Sequence, residues 1–331
     1  MERKVLLHVE HAKKYYPIRG GVLLRTVDQV KAVDDVTLDV YEGEVLGVVG
    51  ESGSGKSTLG RVMIGLEPLT AGTATYDGAP VASSGQAYVR QRRELQIIFQ
   101  DPYESLDPRM TVGQIVGEGC GAARKRSREE TDRAVEELLE KVGLKREYFR
   151  RYPHEFSGGQ RQRVGIARAL AMSPRLVICD EPVSALDVSV QAQILNLLNG
   201  LQREFGLTMV FIAHGLNVVK YICDRIAVMY LGQVLEVAES DALFARPLHP
   251  YTQMLLRAIP RIGEQAQEMG EFDRAGDAVN AGVPGEGCKF APRCPYCAPD
   301  CRTGTPRLEE AEPGHQSACL RWRELRAQWE K

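Results

Sequence analysis

Hydrophobic and polar residues alternate through the first fifty positions of the chain, and this pattern predicts β-strands. Residues 5–50 carry stretches in which every second side chain is apolar, as in strands with one buried face. The alternation ends at residues 45–50, a continuously apolar run that is typical of a strand buried on both faces. Residues 176–180 and 208–213 form similar runs, so they predict two further buried strands.

Helical periodicity separates these predicted strands. It covers residues 56–66, recurs in a charge-rich form at about 112–143, and returns at 188–204 between the last two strand candidates. Strands that alternate with helices favour a parallel sheet with crossover helices. The predicted fold class is therefore α/β.

The composition changes twice near the C-terminus. Residues 261–287 are rich in Gly, Glu, Asp and Ala with little apolar content, which is typical of a linker. Five of the eight cysteines follow in residues 288–331. In a reducing cytosol, such a cluster indicates metal binding before disulfides. We therefore expect a main domain at 1–260, a linker at 261–287 and a small Cys-rich module at 288–331.

Charge and hydropathy exclude some classes of protein. The net charge of −2 across 331 residues gives no reason to expect a nucleic-acid partner, because such binding normally needs a concentrated basic surface. No stretch approaches the ~18 consecutive apolar residues that a membrane-spanning helix requires. The N-terminal segment lacks the sustained apolar core of a secretory signal. We expect a cytoplasmic protein that does not cross a membrane by itself.

A phosphate-binding motif lies between the first buried strand and the first helix. Residues 50–57 fit the pattern G-x-x-x-x-G-K-[ST] in the strand–loop–helix context that the motif requires. Glycines let the backbone N–H groups turn toward phosphate oxygens, and the helix N-terminus adds partial positive charge. Lys56 is expected to reach the β- and γ-phosphates, and Ser57 to bind Mg²⁺. The candidate nucleotide-binding residues here are Gly50, Ser52, Gly53, Ser54, Gly55, Lys56, Ser57 and Thr58.

Two acids end the second buried strand. Asp180 at the carboxyl end of the strand can hold Mg²⁺, and Glu181 can polarise the water that attacks the γ-phosphate. Two acids at an exposed strand end are common, but the upstream phosphate-binding loop favours the catalytic interpretation.

The segment Ser157-Gly158-Gly159-Gln160 distinguishes among proteins with such loops. It opens a predicted helix, where a hydroxyl and backbone N–H groups can meet a γ-phosphate. Taken alone, it could be an N-cap serine with a glycine turn. Together with the other motifs it resembles the signature of the ABC ATPase family. The resemblance implies a P-loop NTPase core with a parallel sheet, an antiparallel N-terminal β-subdomain and a helical subdomain at about 101–170.

The same resemblance implies roles for four further residues. Gln100 matches the Q-loop glutamine that touches Mg²⁺ and water, and Asp187 matches the D-loop aspartate. His214 matches the switch histidine at the γ-phosphate. Tyr16 matches the aromatic residue that stacks on adenine, with Tyr15 as the alternative.

The resemblance covers nearly the whole chain and is closest to the F-type ATPase subunit of oligopeptide/dipeptide importers. In that family four cysteines of the C-terminal region hold a 4Fe-4S cluster, and Cys288, Cys294, Cys301 and Cys319 match them with the spacing C-x5-C-x6-C-x17-C. Thiolates also suit zinc, which is the alternative metal. Cys297 does not match the family spacing; it is expected to be a free thiol, although it could replace one of the four.

For function, the resemblance implies hydrolysis of MgATP to energise uptake of oligopeptides or dipeptides. The expected partners are two transmembrane permease subunits, a second, related ATPase that forms a heterodimer with this chain, and indirectly an extracytoplasmic substrate-binding protein. The expected location is the cytoplasmic face of the inner membrane. Alternatives are another cargo such as nickel or glycans, a non-transport ABC ATPase, or an inactive regulatory subunit.

One position departs from the family pattern. Asp commonly follows the switch histidine, whereas this chain has Gly215 after His214. Glycine loosens the backbone there and removes a carboxylate. We expect an altered rate or coupling, with hydrolysis retained.

Overall fold

A computed structural model describes residues 3–20, 25–123, 127–259 and 287–329. The strands are β1 (Val5–Gly20), β2 (Arg25–Tyr41), β3 (Val45–Val49), β4 (Ala71–Tyr76), β5 (Ala79–Pro80), β6 (Leu95–Ile98), β7 (Leu176–Asp180), β8 (Thr208–Ala213), β9 (Arg225–Tyr230), β10 (Gln233–Glu239), β11 (Glu309–Glu312) and β12 (His315–Ser317). The helices are α1 (Lys56–Met63), α2 (Gly85–Glu94), α3 (Pro102–Ser105), α4 (Val112–Ala123), α5 (Arg128–Lys141), α6 (Gly158–Leu170), α7 (Val188–Phe205), α8 (Leu216–Ile222), α9 (Ser240–Ala245), α10 (Pro250–Arg257), α11 (Asp300–Thr303) and α12 (Trp322–Trp329). Nearly all of the predicted linker lies outside the described residues.

The main sheet has eight strands in the order β11-β12-β10-β9-β3-β8-β7-β6. Its centre is parallel: β3 pairs with β8 and β9, and β7 pairs with β6 and β8. The three continuously apolar runs of the sequence are β3, β7 and β8, so the predicted buried parallel strands are confirmed. Because the carboxyl ends of parallel strands meet at one edge, the loops after these strands lie side by side.

Successive residues of β3 face two different hydrophobic cores. Val45 and Val49 belong to the core that also contains α4–α7, whereas Leu46 and Val48 belong to the core beneath β1, β2 and α1. A strand buried on both faces needs apolar side chains at every position. This requirement explains why β3 reads as a continuous apolar run.

The N-terminal strands form a separate four-stranded sheet in the order β2-β1-β4-β5. All of its pairs are antiparallel, and β1 pairs with β2 over most of its length with several register shifts. Such irregularities let long strands curve over a core. The N-terminal strands and their antiparallel pairing agree with the prediction.

Between β6 and β7 the chain is helical. Helices α3–α6 occupy this stretch together with two 3₁₀ turns, Arg146–Arg150 and Pro153–Glu155. Their buried residues, such as Val116, Val135 and Leu139, join the larger of the two cores. Among the described residues, no helix is both long and apolar enough to cross a bilayer.

The cysteine-rich segment is continuous with the main domain. Strand β12 pairs antiparallel with β10, and β11 pairs with β12, so this segment extends the main sheet. The fully buried carboxylate of Glu236 in β10 accepts hydrogen bonds from the backbone N–H groups of Leu248 and His249, and it lies 2.7 Å from Nε2 of His315 in β12. A buried carboxylate requires such partners. They fix β12 and the start of α10 to the same strand.

Candidate nucleotide-binding site

Two glycines of the loop from residue 50 to residue 55 lie where a side chain would clash with backbone, Gly50 and Gly55. A Cβ atom on Gly55, whose φ is +99°, would lie 1.8 Å from the carbonyl oxygen of Ala32. A Cβ atom on Gly50 would lie 2.0 Å from the carbonyl oxygen of Met229. The backbone passes so close to its neighbours at these two positions that a side chain would not fit. The two glycines therefore allow the tight curvature that is expected of a phosphate-binding loop.

Lys56 is the buried cation of the site. Its Nζ donates to the carbonyl oxygens of Gly50 and Glu51, both at 2.9 Å, and the residue is only 4% exposed. Burial lowers the pKa of Lys56, while the nearby carboxylates of Glu181 and Asp180 oppose that shift. An ammonium in this position is suited to an anionic ligand such as phosphate.

Two of the three proposed magnesium ligands, Ser57 and Asp180, lie next to each other. Ser57 Oγ donates to Asp180 Oδ1 at 2.7 Å, and Asp180 is almost fully buried. A hydroxyl oxygen beside a carboxylate oxygen is the type of ligand set that Mg²⁺ binds. The residues therefore fit the ion.

Glu181 and His214 form the catalytic pair of the prediction. His214 Nε2 lies 2.6 Å from Glu181 Oε1, and the glutamate side chain is 6% exposed. Glu181 adopts φ +47°, a left-handed conformation that is strained for a residue with a side chain. Its buried Oε2 makes no hydrogen bond within the described part of the chain. A buried acceptor without a hydrogen bond is unusual in a folded protein and is a feature of catalytic sites and of sites that bind water or an ion.

Tyr16 and Gln100 are both exposed. Tyr16 lies in β1, where its hydroxyl donates to Glu67 and the Lys14 ammonium is 5.1 Å from its ring centroid. Tyr15 instead donates its hydroxyl to Asp34 and is more buried. Gln100 is exposed two residues beyond β6. Of the two tyrosines, Tyr16 presents the more accessible ring.

The signature residues begin α6. Ser157 caps this helix: the Gln160 N–H donates to Ser157 Oγ at 3.4 Å, and the Ser157 N–H donates to Gln160 Oε1 at 3.1 Å. The N-cap interpretation of this serine is thus confirmed. A Cβ on Gly159 would lie 2.5 Å from Val190 Cγ1, so glycine allows α6 to pack against α7. Ser157, Gly158 and Asp187 are exposed, and none of their described hydrogen bonds reaches residues 50–58.

Four cysteines share one small cavity. Cys288, Cys294, Cys301 and Cys319 line a space of about 20 Å³, and Cys297 is not among the described residues that line it. Burial raises the pKa of Cys294 and of Cys319 to about 12. The described residues contain no group of three or more His, Cys, Asp or Glu placed to hold a metal ion. The iron–sulfur assignment therefore stays a prediction.

The structure adds residues that the motifs did not indicate. Arg293 donates through both terminal nitrogens to Glu51 of the phosphate-binding loop, at 2.8 and 3.0 Å. The Glu51 N–H donates to the hydroxyl of Tyr251 at 3.0 Å. Arg293 and Glu51 are 242 positions apart, so no local pattern could have revealed their contact.

Comparison with known proteins agrees with this geometry. Residues 33–184 match the ABC transporter family, and residues 235–301 match the family of the oligopeptide/dipeptide transporter C-terminal region. The chain superposes on cbiO1 of Clostridium perfringens, part of the transporter complex cbiONQ, with a TM-score of 0.64, 29% identity and coverage of 73% of this chain and 92% of that one. A dimeric post-hydrolysis structure of the cassette MJ0796 bound to ADP and Pi gives a TM-score of 0.63 at 29% identity, covering 71% and 98%.

The chain belongs to the family of ABC transporter ATP-binding proteins. It is 48% identical to a putative peptide import ATP-binding protein of Brucella ovis, over 97% of this chain and 99% of that protein. It is 46% identical to the oligopeptide transport ATP-binding protein AppF of Bacillus subtilis, over 96% and 97%. Within the family, the chain falls in the oligopeptide/dipeptide branch.

Proposed function

We propose that this chain binds and hydrolyses MgATP to drive import of peptides through partner permeases. The observation that carries the proposal is the buried Glu181 carboxylate, which lies 2.6 Å from His214 Nε2, next to a complete phosphate-binding motif, and has one oxygen without a hydrogen bond to the described residues. An inactive regulatory subunit would not need to retain this strained arrangement. The full-length similarity to peptide import proteins supports the cargo class.

In this proposal Lys56 and the loop N–H groups bind the β- and γ-phosphates. Ser57 and Asp180 would hold Mg²⁺, with Gln100 completing the set, and the ion would neutralise charge on the phosphates. Glu181 orients the attacking water and accepts its proton through Oε2, while His214 steadies the carboxylate through Oε1. Tyr16 stacks on adenine.

The signature belongs to a second nucleotide in the proposed mechanism. Ser157 and Gly158 are exposed, as are Asp187 and the start of α7, while Gly159 and Gln160 are half-buried. A head-to-tail pair of ATPases would place these groups against the partner's ATP. We infer a heterodimer with a related ATPase, docked on two permeases at the cytoplasmic face of the membrane and served indirectly by an extracytoplasmic substrate-binding protein.

Reconstitution with the permeases, the binding protein and the partner ATPase tests this function. Peptide uptake should depend on ATP hydrolysis, and Ser157→Ala should impair occlusion of nucleotide at the partner's loop while leaving this chain's own loop loaded. Trapping of radiolabelled nucleotide followed by separation of the subunits distinguishes the two sites. Full peptide-stimulated turnover by this chain and the permeases alone would contradict the heterodimer and indicate a homodimer.

For the C-terminal region we propose a 4Fe-4S cluster held by Cys288, Cys294, Cys301 and Cys319. Their common cavity and the chemistry of four thiols support it, and the first three cysteines lie within the match to the oligopeptide/dipeptide C-terminal family. Thiolate ligands must lose protons on binding, so the four thiols would be deprotonated when they bind the cluster. Zinc is the alternative metal.

Anaerobically purified protein should carry about four iron and four sulfide per chain. Cys288→Ser and Cys319→Ser should each lose the iron, because each removes one of the four thiols. Cys297→Ser is the matched control and should keep it. Elemental analysis measures the iron and zinc content of each protein. Stoichiometric zinc without iron would favour the alternative metal, and loss of iron in Cys297→Ser would show that this thiol is a ligand.

A further inference from the structure

An arginine of the cysteine-bearing segment forms an ion pair with the phosphate-binding loop. Arg293 directly precedes Cys294, and its guanidinium contacts both carboxylate oxygens of Glu51, the residue that follows Gly50. A two-point contact between planar groups fixes orientation as well as distance. On its backbone side Glu51 is bound to the Tyr251 hydroxyl. The first turn of the loop is therefore held from two directions by residues of the C-terminal part.

The arginine itself is rigidly supported. Its guanidinium lies 5.8 Å from the ring centroid of Tyr230 and 5.9 Å from that of Phe290. Tyr230, Tyr251 and Phe290 pack against one another with centroids 4.7–5.5 Å apart. Ion pairs on flexible exposed side chains contribute little, but this arginine is 21% exposed and rests on a packed aromatic cluster. The aromatic rings therefore help to hold Arg293 next to Glu51.

A second contact connects the same segment to strand β2. Lys289 directly follows Cys288, and its Nζ donates to Asp34 Oδ2 at 2.8 Å and to the Leu231 carbonyl oxygen at 2.7 Å. Asp34 also accepts from the hydroxyl of Tyr15, the neighbour of the proposed adenine-stacking Tyr16. Two residues that adjoin cysteines, Arg293 and Lys289, thus form ion pairs with the main domain.

We propose that Arg293 is a positioning residue for ATP: it orients the phosphate-binding loop through Glu51 and neutralises a carboxylate that would otherwise repel the polyphosphate. The inference rests on the proposed ATP site. The proposed role has two parts, orientation of the loop and neutralisation of the Glu51 charge. The charge part makes a specific prediction for a variant that lacks both side chains. If Arg293 is lost, Glu51 becomes an unpaired negative charge at the loop, whereas loss of both leaves no charge.

The test measures MgATP affinity of the full-length chain by isothermal titration calorimetry. Arg293→Met should weaken binding roughly tenfold, within the range of coupling between contacting residues. Glu51→Gln should have a smaller effect, and the double variant should resemble Glu51→Gln instead of adding the two losses. Arg302→Met, an exposed arginine of the same segment, is the matched control and should bind as wild type.

Several outcomes separate this inference from the proposed function. Wild-type affinity in Arg293→Met, or additive losses in the double variant, would overturn the positioning role. If the wild type itself does not bind MgATP, the proposed function fails instead. Thermal unfolding checks that each variant is folded. Where Arg293→Met does not fold, Arg293→Lys takes its place, because lysine keeps the charge but loses the two-point contact. Arg293→Lys should lower the MgATP affinity less than tenfold, and in the Glu51→Gln background the same change should not lower it further.

Discussion

Glu181→Gln is expected to bind MgATP like the wild type while losing about 10²–10⁴-fold in hydrolysis rate. The amide has the same shape and its carbonyl oxygen can still accept from His214, so the pair at 2.6 Å need not be disrupted. What is lost is a carboxylate that can accept a proton from water. Lys56, Ser57 and Asp180, the proposed ligands of the phosphates and the ion, are unchanged. Steady-state phosphate release measures the hydrolysis rate, and ATP titration measures the affinity.

A matched substitution separates this effect from a general loss of negative charge. Glu129→Gln alters an exposed glutamate of α5 and should hydrolyse ATP at the wild-type rate. Near-normal turnover of the Glu181→Gln variant would show that another group accepts the proton. Weak ATP binding by that variant would indicate that Glu181 supports the site structurally.

Lys56→Ala should lose ATP affinity itself, by roughly thirtyfold to several thousandfold, since removal of a buried charged partner costs about 2–5 kcal/mol. The ammonium is buried and aimed into the loop, so no neighbouring cation can replace it at the phosphates without rearrangement. The variant should also lose the rise in melting temperature that ATP gives the wild type.

Lys145→Ala provides the control for this second result. Lys145 is exposed at the start of the 3₁₀ turn that follows α5, and its variant should keep both affinity and thermal stabilisation by ATP. Thermal unfolding without nucleotide shows whether Lys56→Ala is folded. A folded Lys56→Ala variant with wild-type affinity would contradict the assignment of the phosphate-binding loop.

The positions of the catalytic residues follow from local sequence. Each of β3, β7 and β8 is a run of apolar residues because both of its faces are buried, and proposed site residues lie at the carboxyl end of each: Gly50, Asp180 with Glu181, and His214. Parallel strands end at one edge, so recognising the strands was enough to expect these side chains together. The glycines of the loop could be read in the same way, since only they tolerate the close backbone contacts.

The placement of the cysteine-rich segment was decided by the tertiary structure. Strand β12 is three residues long, and its partner β10 lies about eighty positions earlier; a strand this short has no periodicity that reveals its pairing. The buried Glu236 and His315 together with the cluster around Phe290 fix it to the main sheet. The sequence indicated a Cys-rich C-terminal segment and its chemistry, but not that the segment would extend this sheet.

The sequence by itself determined the fold class, the nucleotide site and the family, because these depend on residue types in short contiguous runs. Only the tertiary structure brought Arg293 to Glu51 and Lys289 to Asp34. Each of these pairs joins residues more than 240 positions apart. An ion pair between such distant residues produces no pattern in the sequence around either of them. These two contacts depend on the long-range packing of the main sheet and of the aromatic cluster.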